Sequence, residues 1–219
     1  YGKGYDEHYL TKILSVGTLG MRKQRKIVPT RWSITAVDDH VCKNLLKEIK
    51  DKQYPETGYL AYFGGHLGNY YLVLFFPDVW SYELFETYVG SADYEWPFAT
   101  DYEGYNGRKE YAHATAGGYY ASRLAVAENL HSMRRQGACL CLRFITGEYW
   151  APLGVWVCRE AARKALQSKP LEFGSKDLML NYARQLVKKK FGYELDTILR
   201  RSQLMKSMKE QKKLKEYLV

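Results

Sequence analysis

The chain has 219 residues, a mass of 25.5 kDa, 46% hydrophobic residues and a formal net charge of +9 at pH 7. This predicts one substantial globular core and excludes a disordered polypeptide, and with no run of about 18 apolar residues it also excludes a membrane-spanning helix. The four cysteines, Cys42, Cys139, Cys141 and Cys158, form no C-x-x-C pair, so a zinc ribbon is not supported within this segment and they read as buried thiols of a reducing cytoplasm.

In chain order, residues 6–15 read as a short helix carrying Leu10, Ile13 and Leu14. No signal peptide is visible, and a first residue of Tyr1 rather than Met is expected either where the start is missing or where the chain is part of a longer polypeptide. Residues 17–34 read as a Gly- and Pro-punctuated connector with a strand near Ile27 and Val28. Thr35 and Asp38 have the spacing of a capping box, followed by Val41, Leu45 and Ile49 at helical intervals to about Lys50. "GYLAYFG" and "NYYLVLFFP" are strand-like runs joined through "GHLG", a hairpin connection. Residues 78–89 are aromatic-rich and ambiguous. Residues 90–117 read as a long irregular loop, and loops of that length in compact domains usually carry function or are disordered. Helices are predicted over 119–134, 155–166 and 175–191, a strand over 138–147, and a further helix from Leu195 to about Met208. The expected fold is α+β: a largely antiparallel sheet of four to six strands flanked by helices, with a flexible basic C-terminal tail. A mixed α/β sheet is the alternative. The expected divisions are a globular domain over 1–194, a basic helix or linker over 195–210, and a terminal peptide over 211–219.

The positive charge is concentrated. Residues 184–219 hold eleven lysines and arginines against four acids, and Arg22, Lys23, Arg25, Lys26 and Arg31 lie in a stretch without acids. Such asymmetry points to a polyanionic partner, with nucleic acid first, although a solvated helix face gives the same composition. The second cluster runs into the most distinctive segment, "RKIVPTRWSITAVDDHV". In it Arg31 has the fork geometry for a phosphate, Trp32 the ring for stacking on a base, and Asp38 and Asp39 the oxygens for a divalent metal. The plainer reading has Trp32 in the core and both acids favouring a helix N-terminus. Asp101, Glu103, Glu110 and His113 could join Asp38 and Asp39 in a magnesium- or manganese-dependent nuclease site, with Asp38, Asp39, Glu103 and His113 as ligands and Asp38, Asp39 and Arg31 as the catalytic set. Scattered loop acids are more often simply solvated. "FGGHLGN", around His66, matches neither a P-loop nor a dinucleotide fingerprint and reads as a turn. Glu128 and His131 have pairing distance on one helix.

The run "VPTRWSITAVDD", with "LTKILSVGTLGMRKQRKI" before it and "FGGHLGNYYLVL" after it, resembles the archaeal Nre family of DNA repair proteins, and the resemblance extends along the whole chain. It implies DNA repair in the cytoplasm of an archaeal cell, in association with the nucleoid. Family members carry an N-terminal portion with a cysteine zinc motif. Since that motif is not in this sequence, the chain looks like the C-terminal part of such a protein, and zinc is expected only in the absent portion, itself a partner of this one. The family also ends in a motif that binds the sliding clamp (PCNA), and Gln211, Leu214, Tyr217 and Leu218 match it, with Leu218 where an aromatic is usual. Residues three apart project together from a 3₁₀ turn, so Leu214 and Tyr217, with Leu218 beside them, would form one apolar plug. The same three residues have the spacing of an ordinary helix face, but the apolar stripe of Leu204 and Met208 breaks at Gln211 and Lys212. The implied function is a DNA-binding repair protein recruited by the clamp. The alternative is a metal-dependent nuclease of the same pathway.

Overall fold

The computed structural model describes residues 4–89, 98–150 and 153–210. Helix α1 (Glu7–Ser15) and a 3₁₀ turn (Arg22–Gln24) lead into the long helix α2 (Thr30–Asp51). Three strands follow, β1 (Tyr59–His66), β2 (Asn69–Phe76) and β3 (Ser81–Tyr88), and then β4 (Ala99–Glu103). Helix α3 (Ala116–Met133), β5 (Ala138–Ile145), α4 (Trp156–Leu166) and the short β6 (Leu171–Phe173) come next. Helices α5 (Lys176–Phe191), α6 (Asp196–Arg201) and α7 (Gln203–Glu210) complete the described chain. The fold is α+β, with a six-stranded sheet in the order β4-β3-β5-β2-β1-β6. Among the described residues, these strands pair antiparallel except β3 with β5.

Both faces of the sheet are covered. Successive strand side chains point to opposite faces, so Tyr71, Val73, Phe75, Tyr82, Leu84, Cys139 and Cys141 join one core with residues of α2, α3 and α4. The alternate set, Leu72, Leu74, Phe76, Phe85, Leu140, Leu142 and Phe144, joins a second core with α5, α6 and α7. This explains why β2 and β5 read as continuous apolar runs: each strand is buried on both sides. Helix α3 is buried on nearly every side, which accounts for its small and apolar residues. On the first face, Gly64 of β1 lets α4 come close, since a Cβ there would lie 2.8 Å from Ala165 Cα.

Several local expectations change. Helix α2 begins at Thr30, after Pro29, and not at a capping box on Thr35. The Pro29 carbonyl accepts from the Trp32 and Ser33 amides at 2.9 and 3.0 Å. The Thr35 hydroxyl turns back to the Arg31 carbonyl at 3.0 Å, a bond available only inside a helix. Asp38 and Asp39 are therefore more than two turns inside the helix, where the N-terminal dipole no longer favours them. The connector before it has no strand: Ile27 is 83% exposed and the backbone is held there by the Val28 amide on the Ser15 carbonyl. The ambiguous segment 78–89 contains β3. Within the long loop, Ala99–Glu103 forms the edge strand β4. The β1–β2 connection is a two-residue turn in which Leu67 and Gly68 both have positive φ, the hand that suits a twisted hairpin.

The segment after Gly192 is two helices and not one. They meet at Ser202, whose extended backbone interrupts the helical path. Ile198, Leu204 and Met205 are buried against the sheet. Glu83 of β3 fixes the junction by accepting from Ser202 Oγ, the Gln203 amide at 2.9 Å and the Leu204 amide at 3.0 Å.

A candidate nucleic-acid interface along the second helix

Residues 32, 36, 39, 43, 47 and 50 recur at intervals of four, three, four, four and three, so they share one face of α2. The face begins with Trp32, 57% exposed, passes Ala36 and Asp39, and ends in Lys43, Lys47 and Lys50. Opposite it stands the loop between β4 and α3. Arg108 holds that loop in shape: Nη1 donates to the Tyr102 carbonyl at 2.9 Å, Nε to the Glu110 carbonyl at 3.3 Å, and Nη2 lies 3.0 Å from Asp101 Oδ1. Asp101 in turn accepts from the Thr115 amide and hydroxyl at 2.7 and 2.9 Å. The Tyr120 hydroxyl accepts from the Ala112 amide at 3.0 Å, and the Tyr111 ring lies 5.0 Å from the Tyr120 ring. The wall facing α2 is thus stapled by side chains of the elements beneath it.

Between helix and wall lie three hollows that share their linings. The first, about 500 Å³, is lined by Trp32, Thr35, Ala36, Asp39, Tyr111 and Tyr120. The second, about 190 Å³, shares Asp39, Tyr111 and Tyr120 and adds Lys43, Lys109 and Arg123. The third, about 280 Å³, shares Lys43, Arg108 and Arg123 and continues past Lys47 and Lys50. One end of the groove is therefore aromatic, and the other is mostly cationic, with Asp51, Glu103 and Glu110 also in its lining. At the cationic end, Lys50 Nζ sits 4.3 Å from the Tyr105 ring centre.

The acids singled out in the sequence point in different directions. Asp38 turns into the core, fully buried, and its carboxylate meets Arg159 of α4. Burial pushes its carboxyl up to about 6, with Arg159 pulling the other way. Asp39 turns to the groove, where Oδ1 accepts from Arg123 at 3.1 Å and Oδ2 from Lys43 at 2.6 Å. Glu103 is buried under the groove floor and accepts from Arg123 Nε and Trp80 Nε1, both at 2.9 Å. The Arg123 guanidinium thus occupies the space between Asp39 and Glu103. His113 is exposed, and its backbone amide donates to Asp101 at 3.3 Å. Asp38, Asp39, Glu103 and His113 are not gathered as one group. Among the described residues, the potential metal ligands that do come together are Glu7, His8 and Glu160, and there Arg163 already lies 2.7 Å from Glu7 and 3.0 Å from Glu160.

Of the basic cluster, Arg22, Lys23, Arg25, Lys26 and Arg31 are all exposed. Arg25 Nε donates to the Gly20 carbonyl at 3.0 Å, and the Arg31 guanidinium lies 5.7 Å from the Trp32 ring centre. The structure joins this cluster to the groove through Arg31 and Trp32, which are adjacent in the first turn of α2. Sequence reasoning missed Lys43, Lys47 and Lys50. Their spacing, continued back to Trp32, was the available signal, but it becomes visible only once the helix is known to start at Thr30. On α3, Glu128 lies 2.7 Å from Arg163, and His131 lies 3.1 Å from Glu48. Gln211, Leu214, Tyr217 and Leu218 lie outside the described residues.

Two family models match the chain: "Archaeal Nre, N-terminal" over residues 1–95 and "Archaeal Nre, C-terminal" over residues 103–217. The chain therefore carries residues matched by both family models. It is 41% identical over 175 residues to DNA repair protein NreA of Haloferax volcanii, covering 77% of this chain and 41% of the relative. To DNA repair protein NreA of Archaeoglobus fulgidus it is 41% identical over 194 residues, covering 87% and 49%. To DNA repair protein NreB of the same organism it is 36% identical over 212 residues, covering 94% and 52%. The chain thus spans about half the length of the curated relatives it matches. No solved structure matches it.

Proposed function

Since the chain belongs to the archaeal Nre family, we propose that it is a DNA repair protein that binds DNA along α2 and is recruited to the sliding clamp through its C-terminal peptide. One observation carries the DNA-binding part: a single helix face runs from an exposed tryptophan to three lysines, next to a basic connector, in a groove with a fixed aromatic wall. Aromatic rings and a cationic track are the two components of sequence-tolerant nucleic-acid binding. The repair role rests on the relatives' names and on the family match. The clamp partner rests on the pattern Gln211, Leu214, Tyr217 and Leu218.

The arrangement favours binding over cleavage. In a two-metal or one-metal nuclease the carboxylates must be free to hold the ion. Here Asp38 is committed to Arg159, and Asp39 and Glu103 share Arg123. The nuclease reading would regain ground if nicked or flapped DNA were cut with magnesium or manganese and the cutting were lost in Asp38→Ala with Asp39→Ala.

The test of DNA binding is fluorescence anisotropy with labelled DNA at low salt, where the attraction to phosphates is strongest. The quadruple change Arg22→Ala, Lys23→Ala, Arg25→Ala, Lys26→Ala should weaken binding and flatten its salt dependence, by about 0.7–0.9 in the log–log slope for each phosphate no longer neutralised. Absence of binding by the unaltered protein at about 50 mM salt would overturn the reading.

A further inference from the structure

We infer that the aromatic end of the groove is a pocket for one unstacked nucleobase, so that the preferred ligand is single-stranded DNA, or DNA with an extruded base, over intact duplex. This rests on the DNA-binding reading above and names the ligand of that same groove.

The pocket between Trp32, Tyr111 and Tyr120 has a volume of about 500 Å³, enough to admit an unstacked base. Trp32 and Tyr111 are 57% and 52% exposed, so each still offers ring area beside its neighbours Arg31 and Tyr120. Such surface stacks on any base, because every base has a π-face. A base inside a duplex has both its faces occupied by neighbours and cannot use these rings without leaving the stack.

The rest of the groove suits the backbone of the same strand. From Trp32 to Lys50 the helix face is about 27 Å long at 1.5 Å per residue. Lys43, Lys47 and Lys50 follow the pocket at rises of about 6 and 4.5 Å. They place positive charge along one line, with Lys47 exposed, Lys43 paired with Asp39 and Lys50 donating to the Tyr105 carbonyl. Asp39, the one acid on this face, is neutralised by Lys43 and Arg123, so it does not repel an approaching phosphate. The wall is set in advance by Arg108 and Asp101, which lowers the ordering cost of binding.

The experiment compares a labelled single strand of about 12 nucleotides with a blunt duplex of equal length, by anisotropy over a range of salt. The unaltered protein should bind the single strand more tightly. Trp32→Ala and Tyr111→Ala should each weaken single-strand binding about tenfold, with duplex affinity and salt slope unchanged. Trp32→Phe should retain most of the affinity, since it keeps a stacking face. Lys47→Ala with Lys50→Ala should weaken both ligands and lower the slope. Both aromatic positions are more than half exposed, so melting temperatures should stay at the starting value and confirm the fold. If the aromatic changes affect neither ligand, or both equally, the base pocket is wrong while DNA binding stands. If the unaltered protein binds neither ligand at low salt, the underlying reading fails as well.

Discussion

Asp38 and Arg159, 121 residues apart in sequence, form an ion pair sealed between α2 and α4, with Asp38 fully buried and Arg159 2% exposed. A charge pair taken out of water is costly to form and more costly to break: removal of Asp38 leaves the buried Arg159 guanidinium with only Glu160 at 3.2 Å and Glu7 at 4.0 Å. Asp38→Ala should therefore reduce stability by about 3–5 kcal/mol in denaturant unfolding, whereas Asp38→Leu combined with Arg159→Met should lose much less. A single change that costs no more than the double would show that the pair is not what holds α4 to α2.

The same carboxyl has a pH signature. Its Oδ2 has no hydrogen-bond partner among the described residues, and burial raises its pKa to about 6 despite Arg159. The folded-state value lies above the unfolded one, about 3.9, so the folded protein holds the proton more tightly. This contribution to stability is complete below about pH 4 and is lost as pH rises through about 6. The unfolding free energy of the unaltered protein, minus that of Asp38→Asn, should fall across this interval. A difference that is flat between pH 4 and 6 would refute it.

Glu83 should hold the last two helices in place. It accepts two amides at the start of α7 and the Ser202 hydroxyl, although burial raises its pKa. Glu83→Ala leaves those donors without their acceptor and should cost about 2–3 kcal/mol. The loss should be local first: amide exchange at Gln203 and Leu204 should accelerate before that of β2 and β5. Uniform acceleration through the sheet would argue against a local role.

All four cysteines are buried and free. Burial pushes the thiols of Cys42 and Cys141 up to about 12, and it raises those of Cys139 and Cys158 in the same direction. Since the thiolate is the reactive species, a thiol reagent at neutral pH should label none of them in the folded protein and all four after denaturation. Rapid native labelling of even one would show that a core opens readily.

For the C-terminal peptide, Leu214→Ala with Tyr217→Ala should abolish binding to the sliding clamp in a calorimetric titration and leave the melting temperature unchanged. The anchors of α7, Leu204 and Met205, both precede residue 211. A melting temperature lower by more than about 4 °C, equivalent to 1 kcal/mol or more in a chain of this size, would assign those two residues to the core instead.

Local chemistry carried much of this in the sequence. Period-3.6 patterns located α1, α3, α4 and α5, and apolar runs located β1, β2 and β5, because an element that buries a face must repeat its apolar residues at its own period. The Trp32 and Arg31 pair and the basic connector were legible by residue type alone. By contrast, the neighbours Asp38 and Asp39 are chemically identical in sequence, and only the fold separates them. Successive helix positions diverge by about 100°, so one carboxylate meets Arg159 in the core and the other meets Arg123 at the groove. Both partners come from helices far along the chain. The start of α2 depended on Pro29 and the packing beyond it, and the lysine face depended on that start. Residue chemistry alone set which side chains could stack, pair or be buried. Which of them share a groove was decided by tertiary packing, because the opposite wall, Tyr111, Tyr120 and Arg123, is brought to α2 by a sheet and a helix that no local pattern links to it.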